Sequence, residues 1–426
     1  MSILTSETVE IAVADVVWRE DLYPRFDPVP SRIQQYADCI ELLPPIEINQ
    51  HNELIDGYHR WTAHKKAGVE TIAAFVTDTK SDAELDRLMA RRNAGFGIQL
   101  TAEEKQRKAR QWFQALTDDV EQIATDLSVS ERTARRWLSR RIKDMKAERE
   151  RQIAEMWLAC YTEEEIAEAV GTSVQPVKDV AKSDNSDIWQ KNLIFSEYRD
   201  ADWKPPLYDV WKVQSKSNST GHFGNSEAQW VDNLLYMYTA PFDLVVDPFA
   251  GGGSTIDVCK QRLRRYWVSD RLPIVERRDI RQWDILEGPP PLHKRWGDAR
   301  LLYLDPPYWK QAEGKYSDDA QDLANMPLER FYEVLAGFVR DCASKMHSGA
   351  KIALLIQPTQ WKASDRRVVD HIIDLVMRLQ DAPMRYVRRI LCPYESQQCT
   401  AQQVEWAKEN REILVISREL IIWEVA

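Results

Sequence analysis

Acidic residues in the second half of the chain stand where short apolar runs stop. Leu301, Leu302, Tyr303 and Leu304 form one such run, ended by Asp305 and followed by Pro306, Pro307, Tyr308 and Trp309. A short apolar run bounded by prolines reads as a buried strand, and open α/β sheets hold ligands outside the carboxyl ends of their strands. Upstream, "DLVVD" ends at Asp247 and leads through Pro248, Phe249 and Ala250 into Gly251, Gly252 and Gly253. These glycines let the backbone turn tightly and approach a ligand before a helix expected near Ser254. Such a cradle serves dinucleotides, phosphates and S-adenosylmethionine alike. "RYWVSD" then ends at Asp270, placed to bond ribose hydroxyls, and "RQWDIL" supplies Asp284 beside Ile285, suited to an adenine amino group and face. One such acid alone is a surface or capping residue; several at successive strand ends mark a ligand-binding edge.

Together "DPFAGGG" and "DPPY" resemble the hallmark pair of the DNA amino-methyltransferases, D-P-F-x-G-x-G and (D/N/S)-P-P-(Y/F/W). The resemblance covers about 190 to 426 and includes "GNSEAQWVDNLLYMYT", similar to the family's motif for the methionine end of the cofactor. It implies a Rossmann-like, S-adenosylmethionine-dependent methyltransferase domain. The implied catalytic residues are Asp305, Pro306, Pro307 and Tyr308, and the implied cofactor residues are Asp247, Pro248, Phe249, Gly251, Gly253, Asp270 and Asp284. An exocyclic amine is a poor nucleophile because its lone pair is delocalised into the ring. Asp305 and the Pro306 carbonyl would accept its two N–H bonds and aim the lone pair at the methyl group. Tyr308 would stack on a base that has left the duplex, with Trp309 as a further wall against nucleic acid. Asp at the first motif position fits adenine N6 better than cytosine N4, which stays as the alternative. No Pro-Cys dipeptide occurs, which disfavours cytosine C5 chemistry. Asp305 follows Asp247 by 58 positions, a gap short for a target-recognition domain, so site choice is expected from elsewhere in the chain.

In the first 100 residues short apolar runs alternate with turn signals, predicting a compact mixed α/β unit. "DGYHRWTAHKKAG" puts Gly57, His59 and Arg60 at a helix start, a plausible anion site because the first N–H groups of a helix are free. With its flanks this stretch resembles the ParB/sulfiredoxin-like fold, whose G-x-x-R helix start binds nucleotide phosphates. That resemblance implies CTP or ATP here, although Tyr58 and His59 replace the Glu-Arg of the partition members. From 101 to 183 the pattern is helical. Ile123, Ala124, Leu127, Val129, Ala134 and Trp137 fall at helix-turn-helix core spacing, with Ser130 placed to cap the second helix. That helix exposes Arg132, Arg135, Arg136, Arg140 and Arg141, and residues 132 to 151 hold nine Lys/Arg against three Asp/Glu. Such a surface suits duplex DNA. A second, weaker pattern includes Ile166, Ala167, Gly171 and Val177.

The expected fold is therefore α/β and multidomain: a ParB-like α/β domain over 1–100, an all-α helix-turn-helix region over 101–183, and a methyltransferase domain over 184–426. A polar linker is expected at 182–187. The 426 residues suit two or three domains, with 44% hydrophobic and 29% charged residues. Six Cys without a CxxC pair favour reduced thiols and no metal, and the N-terminus and apolar runs show neither a leader nor a membrane span, so a cytoplasmic protein is expected. The net charge of −10 argues against a wholly basic nucleic-acid coat but leaves the local arginine face intact. The expected activity is transfer of a methyl group from S-adenosylmethionine to adenine N6 in double-stranded DNA. The rival is a ParB-like regulator or partition protein with a vestigial methyltransferase domain, and RNA as substrate is a third reading. Homodimerisation and a restriction-modification setting are open at this stage.

Overall fold

The computed structural model describes residues 8–25, 30–95, 99–181, 207–212, 227–292, 294–360, 368–393 and 399–426. The polar break at 182–187 lies outside the described residues. The chain divides into two compact units, Met1–Ala147 and Glu148–Ala426.

The first unit begins with β1 (Val9–Ala12) and α1 (Pro30–Ala37), followed by β2 (Ile46–Ile48) and β3 (Leu54–Asp56). Then come α2 (Tyr58–Ala67), β4 (Thr71–Val76) and α3 (Asp82–Gly95). Its described sheet has the order β1-β4-β2-β3, with β2 and β4 parallel. Ile46, Ile48, Leu54, Ile72 and Ala74 bury one face of this sheet around Trp61. Gly57 starts α2 at φ 107°, and a Cβ there would meet Ile46 Cγ2 at 2.6 Å, so the tight entry into α2 requires glycine.

Helices complete this unit: α4 (Ala102–Trp112), α5 (Val120–Asp126) and α6 (Glu131–Leu158), the last containing the unit boundary. Thr101 and Glu104 close a capping box on α4, and the Ser130 hydroxyl accepts from Thr133 N at the start of α6. Ile123, Ala124, Leu127, Ala134 and Leu138 form the α5/α6 core, with Val129 and Trp137 packed at its edge. α3 is joined to α4 by a buried polar cluster. Lys108 pairs with Asp86 and donates to the Leu22 carbonyl at 2.9 Å, and Trp112 Nε1 donates to Asp86 at 2.6 Å.

In the second unit α7 (Glu163–Val170) and α8 (Val174–Ala181) precede α9 (Ala228–Tyr238) and β5 (Leu244–Asp247). The order continues α10 (Ser254–Gln261), β6 (Arg265–Asp270), β7 (Arg281–Gln282), β8 (Ala299–Leu304), α11 (Leu328–Ala343) and β9 (Lys351–Ile356). It ends with α12 (His371–Arg378), β10 (Met384–Pro393), α13 (Ala401–Asn410) and β11 (Ser417–Val425). Seven described strands form one sheet in the order β10-β11-β9-β8-β5-β6-β7, parallel from β9 to β7 and antiparallel at β10 and β11. Side-chain alternation splits its core. Val246, Leu302, Leu304, Ile352 and Leu354 face the layer of α11 and α12, whereas Val245, Leu301, Tyr303, Ala353 and Leu355 face α9 and α10. β10 is the strand that the sequence pattern does not announce, because Arg385, Arg388 and Arg389 stand exposed along it as edge-strand charges. Among the described residues, no helix is long and apolar enough to cross a membrane.

The Lys108 cluster generates a stability test. Asp86→Ala leaves a buried ammonium without its counter-charge and should cost the first unit about 3 to 5 kcal/mol in denaturant unfolding. A loss under about 1 kcal/mol would show that Lys108 finds another partner.

Candidate active site

β5 has β6 on one side and β8 on the other, so the direction of the parallel sheet's winding reverses between β5 and β8. At such a reversal the loops leaving the two strands diverge and open a crevice at the carboxyl ends. Asp247 ends β5 and Asp305 directly follows β8.

Asp247 is buried. One of its oxygens accepts from Phe249 N at 2.9 Å and the other from Thr255 Oγ1 at 2.6 Å, which folds the glycine loop back onto the start of α10. Burial pushes this carboxyl up to about 7. Gly253 adopts φ 86°, and the Arg277 guanidinium lies where a Cβ would be, at 2.7 Å. Asp270 at the end of β6 accepts from Gly251 N at 3.1 Å and Leu272 N at 2.9 Å. Asp284 caps the short turn 285–287 through Leu286 N at 2.9 Å and pairs with Arg271 at 3.0 Å. A carboxylate oxygen has two lone pairs, so these backbone bonds orient Asp270 and Asp284 without exhausting them.

Asp305 is the most consequential of the acids. Burial raises it to about 6, against lowering by the Arg418 charge and by the Tyr308 hydroxyl, which donates to it at 2.9 Å. Arg418, on β11, lies 4.9 Å from the Trp230 ring centre and 6.0 Å from that of Tyr308. The site thus holds a carboxylate in a poorly solvated place with the Arg418 charge acting on it, and Arg271 and Lys315 line the same cavity.

A cavity of about 220 Å³ lies over these strand ends, lined by Pro248, Phe249, Gly251, Asp270, Trp283, Asp284, Ile285, Asp305, Pro307 and Tyr316, among others. The structure brings together seven of the expected residues here: Asp305 and Pro307 with Pro248, Phe249, Gly251, Asp270 and Asp284. Asp247 and Gly253 support the loop from behind. Pro306 is buried, and Tyr308 reaches the site through its hydroxyl. Trp309 is placed otherwise than expected: it is buried and its indole donates to the Met326 carbonyl at 2.8 Å, so it packs the loop instead of walling the opening.

A line of buried polar groups holds the chain just after Tyr308. The Trp309 carbonyl accepts from Thr359 Oγ1 at 2.9 Å, Thr359 contacts His371 Nε2 at 2.9 Å, and His371 Nδ1 contacts the Tyr332 hydroxyl at 2.9 Å. Burial lowers His371 to about 4, so the ring is neutral at ordinary pH and has one N–H to give. Thr359 spends its proton on Trp309, which makes Nε2 the protonated nitrogen; the Tyr332 hydroxyl lies against Nδ1 and also donates to Asp374 at 3.2 Å. Sequence reading missed His371, Thr359, Trp283, Tyr316, Arg271 and Arg418. Trp283 was legible beside Asp284; the others come from strands, helices and loops with no local motif.

In the first unit, Arg60 is spent on protein acceptors: Asp56 at 2.7 Å and the carbonyls of Pro44 at 3.1 Å and Pro45 at 2.5 Å. It clamps the loop before β2 to the end of β3 and does not reach outward for an anion. Gly57 shapes the turn. His59 is buried at the start of α2, and its basicity is lowered by burial and by the charges of Arg25 and Arg32. Along α6, Arg132, Arg135, Arg136 and Arg140 are exposed. Arg135 pairs with Glu131, Arg140 faces Asp144 at 3.9 Å, and Arg141 is half-buried, donating to the Arg110 carbonyl at 3.1 Å. Among the described residues, no cluster of three or more His, Cys, Asp or Glu is arranged to hold a metal ion.

The Thr359–His371–Tyr332 line predicts that His371→Leu, which takes one buried partner from each hydroxyl while Thr359 keeps the Trp309 carbonyl and Tyr332 keeps Asp374, lowers the stability of the second unit by about 1 to 3 kcal/mol. Limited proteolysis should then cut sooner within 310–326; an unchanged cutting pattern would mean the loop is held elsewhere.

A family model described as DNA methylase matches residues 69–271, just under half of the chain. The matched stretch contains the glycine loop and Asp270 and ends before Asp305. No curated protein matches the sequence. Among solved structures, the chain is similar to the C-terminally truncated chromosome-partitioning protein ParB from Caulobacter crescentus complexed to the centromeric parS site. That similarity has 16% identity over 41% of this chain and 86% of that one, with a TM-score of 0.26. It is also similar to TrmN from Thermus thermophilus, at 13% identity over 47% of this chain and a TM-score of 0.29, spanning about half (48%) of TrmN. A SAM-dependent methyltransferase from Archaeoglobus fulgidus shares 13% identity over 47% of this chain and 95% of that one, with a TM-score of 0.28.

Proposed function

We propose that the chain is an S-adenosylmethionine-dependent DNA methyltransferase acting on an exocyclic amine, adenine N6, and that its first unit and helical region bind the DNA. The observation that carries this reading is the convergence of the Asp247–Gly253 loop, Asp270, Asp284 and Asp305 on one cavity at the reversal of the sheet. The match of residues 69–271 to a DNA methylase model supports it.

The lining suits the cofactor. Gly251 gives close backbone approach, Asp270 and Asp284 offer acceptors for hydroxyl and amino groups, and Phe249 and Ile285 supply flat apolar surface. Bound there, S-adenosylmethionine supplies an electrophilic methyl group. The chain's own part is to prepare the amine. Asp305, ionised, accepts one N–H of the target while the Pro306 carbonyl accepts the other, and the lone pair is directed away from both. Two successive prolines fix φ at the acceptors and remove competing N–H groups. Tyr308 orients the carboxylate through its hydroxyl and offers its ring face to a base outside the helix. Asp at the head of the tetrapeptide is what favours adenine over cytosine.

The exposed arginines of α6 suit phosphate binding along a duplex. On the same reading the first unit takes a nucleotide phosphate, CTP or ATP, at the start of α2. There Arg25 and Arg32, and not Arg60, supply positive charge around His59.

Asp305→Ala should abolish methyl transfer and leave cofactor affinity within about threefold, a difference under one kcal/mol; equal loss of both would remove the assigned role. The wild-type rate should fall as pH drops through about 6, because protonated Asp305 cannot serve as a full acceptor. Tyr308→Phe should move that limb to higher pH, since the Tyr308 hydroxyl lowers the Asp305 pKa. Replacing Arg132 and Arg136 with Ala should flatten the salt dependence of DNA binding, the slope falling by about one for each phosphate no longer neutralised. An unchanged slope would place the DNA on another surface.

A further inference from the structure

Away from the catalytic cavity, three arginines gather beside a buried thiol. Arg265 opens β6, Trp267 and Ser269 share its face of the strand, and Arg281 opens β7 opposite Ser269. The Arg265 guanidinium lies 4.3 Å from the Trp157 ring centre, and that of Arg281 lies 4.7 Å from Tyr161 and 5.3 Å from Trp267. Cys160, in the turn after α6, is buried with Trp267 and Trp296, and the charges of Arg265, Arg281 and Arg295 all act on it.

These cations have few acceptors: Arg265 has the weak acceptor of the Cys160 sulfur, and several of the other nitrogens have none. One Arg281 nitrogen donates to the Ala159 carbonyl at 2.6 Å. Its Nη1, together with Nε and Nη2 of Arg265 and Nη1 of Arg295, is buried without a hydrogen-bond partner. Among the described residues, none of the three arginines forms an ion pair; Asp298 acts on Arg265 only from longer range. A guanidinium cannot discharge by losing its proton, so three of them around a neutral thiol repel one another and leave buried donors unsatisfied. Stacking on Trp157, Tyr161 and Trp267 offsets part of the charge but supplies no acceptor in the plane of the N–H groups. A buried donor without an acceptor points to an absent water or ion, and for several cationic donors together an anion is the better match.

Beside the cluster a groove of about 700 Å³ opens, with Arg281, Lys294 and Lys345 among its lining residues, walls of Trp267, Trp283 and Trp296, and no acid among the described residues. Of the three clustered arginines Arg281 alone lines it, so an entering anion meets Arg281 first. We propose that Arg265, Arg281 and Arg295 form a phosphate site, entered through this groove. Fork-shaped donors match the oxygens of phosphate, the local charge favours a dianion, and the tryptophan walls accommodate a base attached to it. A free phosphate or nucleotide and a nucleic-acid backbone present the same group. Because Arg281 also holds the Ala159 carbonyl, a bound phosphate would tie the turn after α6 to the edge of the sheet.

The test titrates the full chain with sodium phosphate against sodium chloride at matched ionic strength, following tryptophan fluorescence and the thermal midpoint. Phosphate, and not chloride, should give a saturable fluorescence change and a rise in midpoint. Arg281→Gln should raise the half-saturating concentration about tenfold or more. Salt dependence of duplex binding by the same variant identifies the source. A slope shallower by about one assigns the site to the DNA backbone, and an unchanged slope with the phosphate response abolished assigns it to free phosphate or a nucleotide. A wild-type response to phosphate no different from that to chloride overturns the proposal, as does an Arg281→Gln response equal to wild type. Should that variant fail to fold, Arg295→Gln takes its place with the same expected and contrary results, because a wild-type response alone does not separate this site from the start of α2. No methyl transfer enters these readouts, so the result stands apart from the proposed activity.

Discussion

The second unit is organised around a carboxylate that must stay charged where water is scarce. Asp305 follows a strand buried at every position but Arg300 and is raised to about 6, close to the point at which it would lose its charge at neutral pH. Arg418 and the Tyr308 hydroxyl oppose that tendency, the first through long-range structure and the second through local geometry. Arg418 comes from the antiparallel strand β11, more than a hundred positions later in sequence, and Tyr308 is aimed by the fixed φ of two prolines. The balance between burial and these two groups leaves an acceptor that is ionised but incompletely solvated, which strengthens every hydrogen bond it accepts.

Around that acid the remaining parts are rigid for identifiable reasons. Asp247 is buried for its bonds to Phe249 N and Thr255, not for exposure to a ligand, and those bonds set the path of the glycine loop. The neutral imidazole of His371, enclosed by Trp309, Phe331 and Tyr332, bridges the Tyr332 hydroxyl and Thr359, which in turn holds the Trp309 carbonyl. On the proposed reading, in which the site holds an amine in one orientation, such a shell helps because positional error at the acceptor costs rate directly.

Much of this was legible in local sequence. The strands ending at Asp247, Asp270 and Leu304 announced themselves as short apolar runs, and the glycine loop and Asp-Pro-Pro-Tyr are contiguous, so their geometry is local. Pairings between distant segments were not legible: Arg418 over Tyr308, Arg271 on Asp284, Thr359 on the Trp309 carbonyl. Trp309 was read as a wall because it adjoins Tyr308, yet neighbouring residues on a turn can face opposite ways, and its indole found a carbonyl in the core. Arg60 was read as an outward donor because helix starts favour anions. Asp56, four residues earlier, together with the Pro44 and Pro45 carbonyls claims its fork. β10 was hidden because an edge strand carrying arginines lacks the apolar alternation by which strands are recognised.

We propose that Asp305 and its neighbours prepare an exocyclic base amine for methylation. The most direct measurement incubates the purified chain with labelled S-adenosylmethionine and unmodified duplex DNA, digests the DNA and separates the nucleosides. Label in N6-methyladenine is expected. Label in N4-methylcytosine would keep the mechanism and change the base, whereas cofactor binding without any label on DNA would contradict the account.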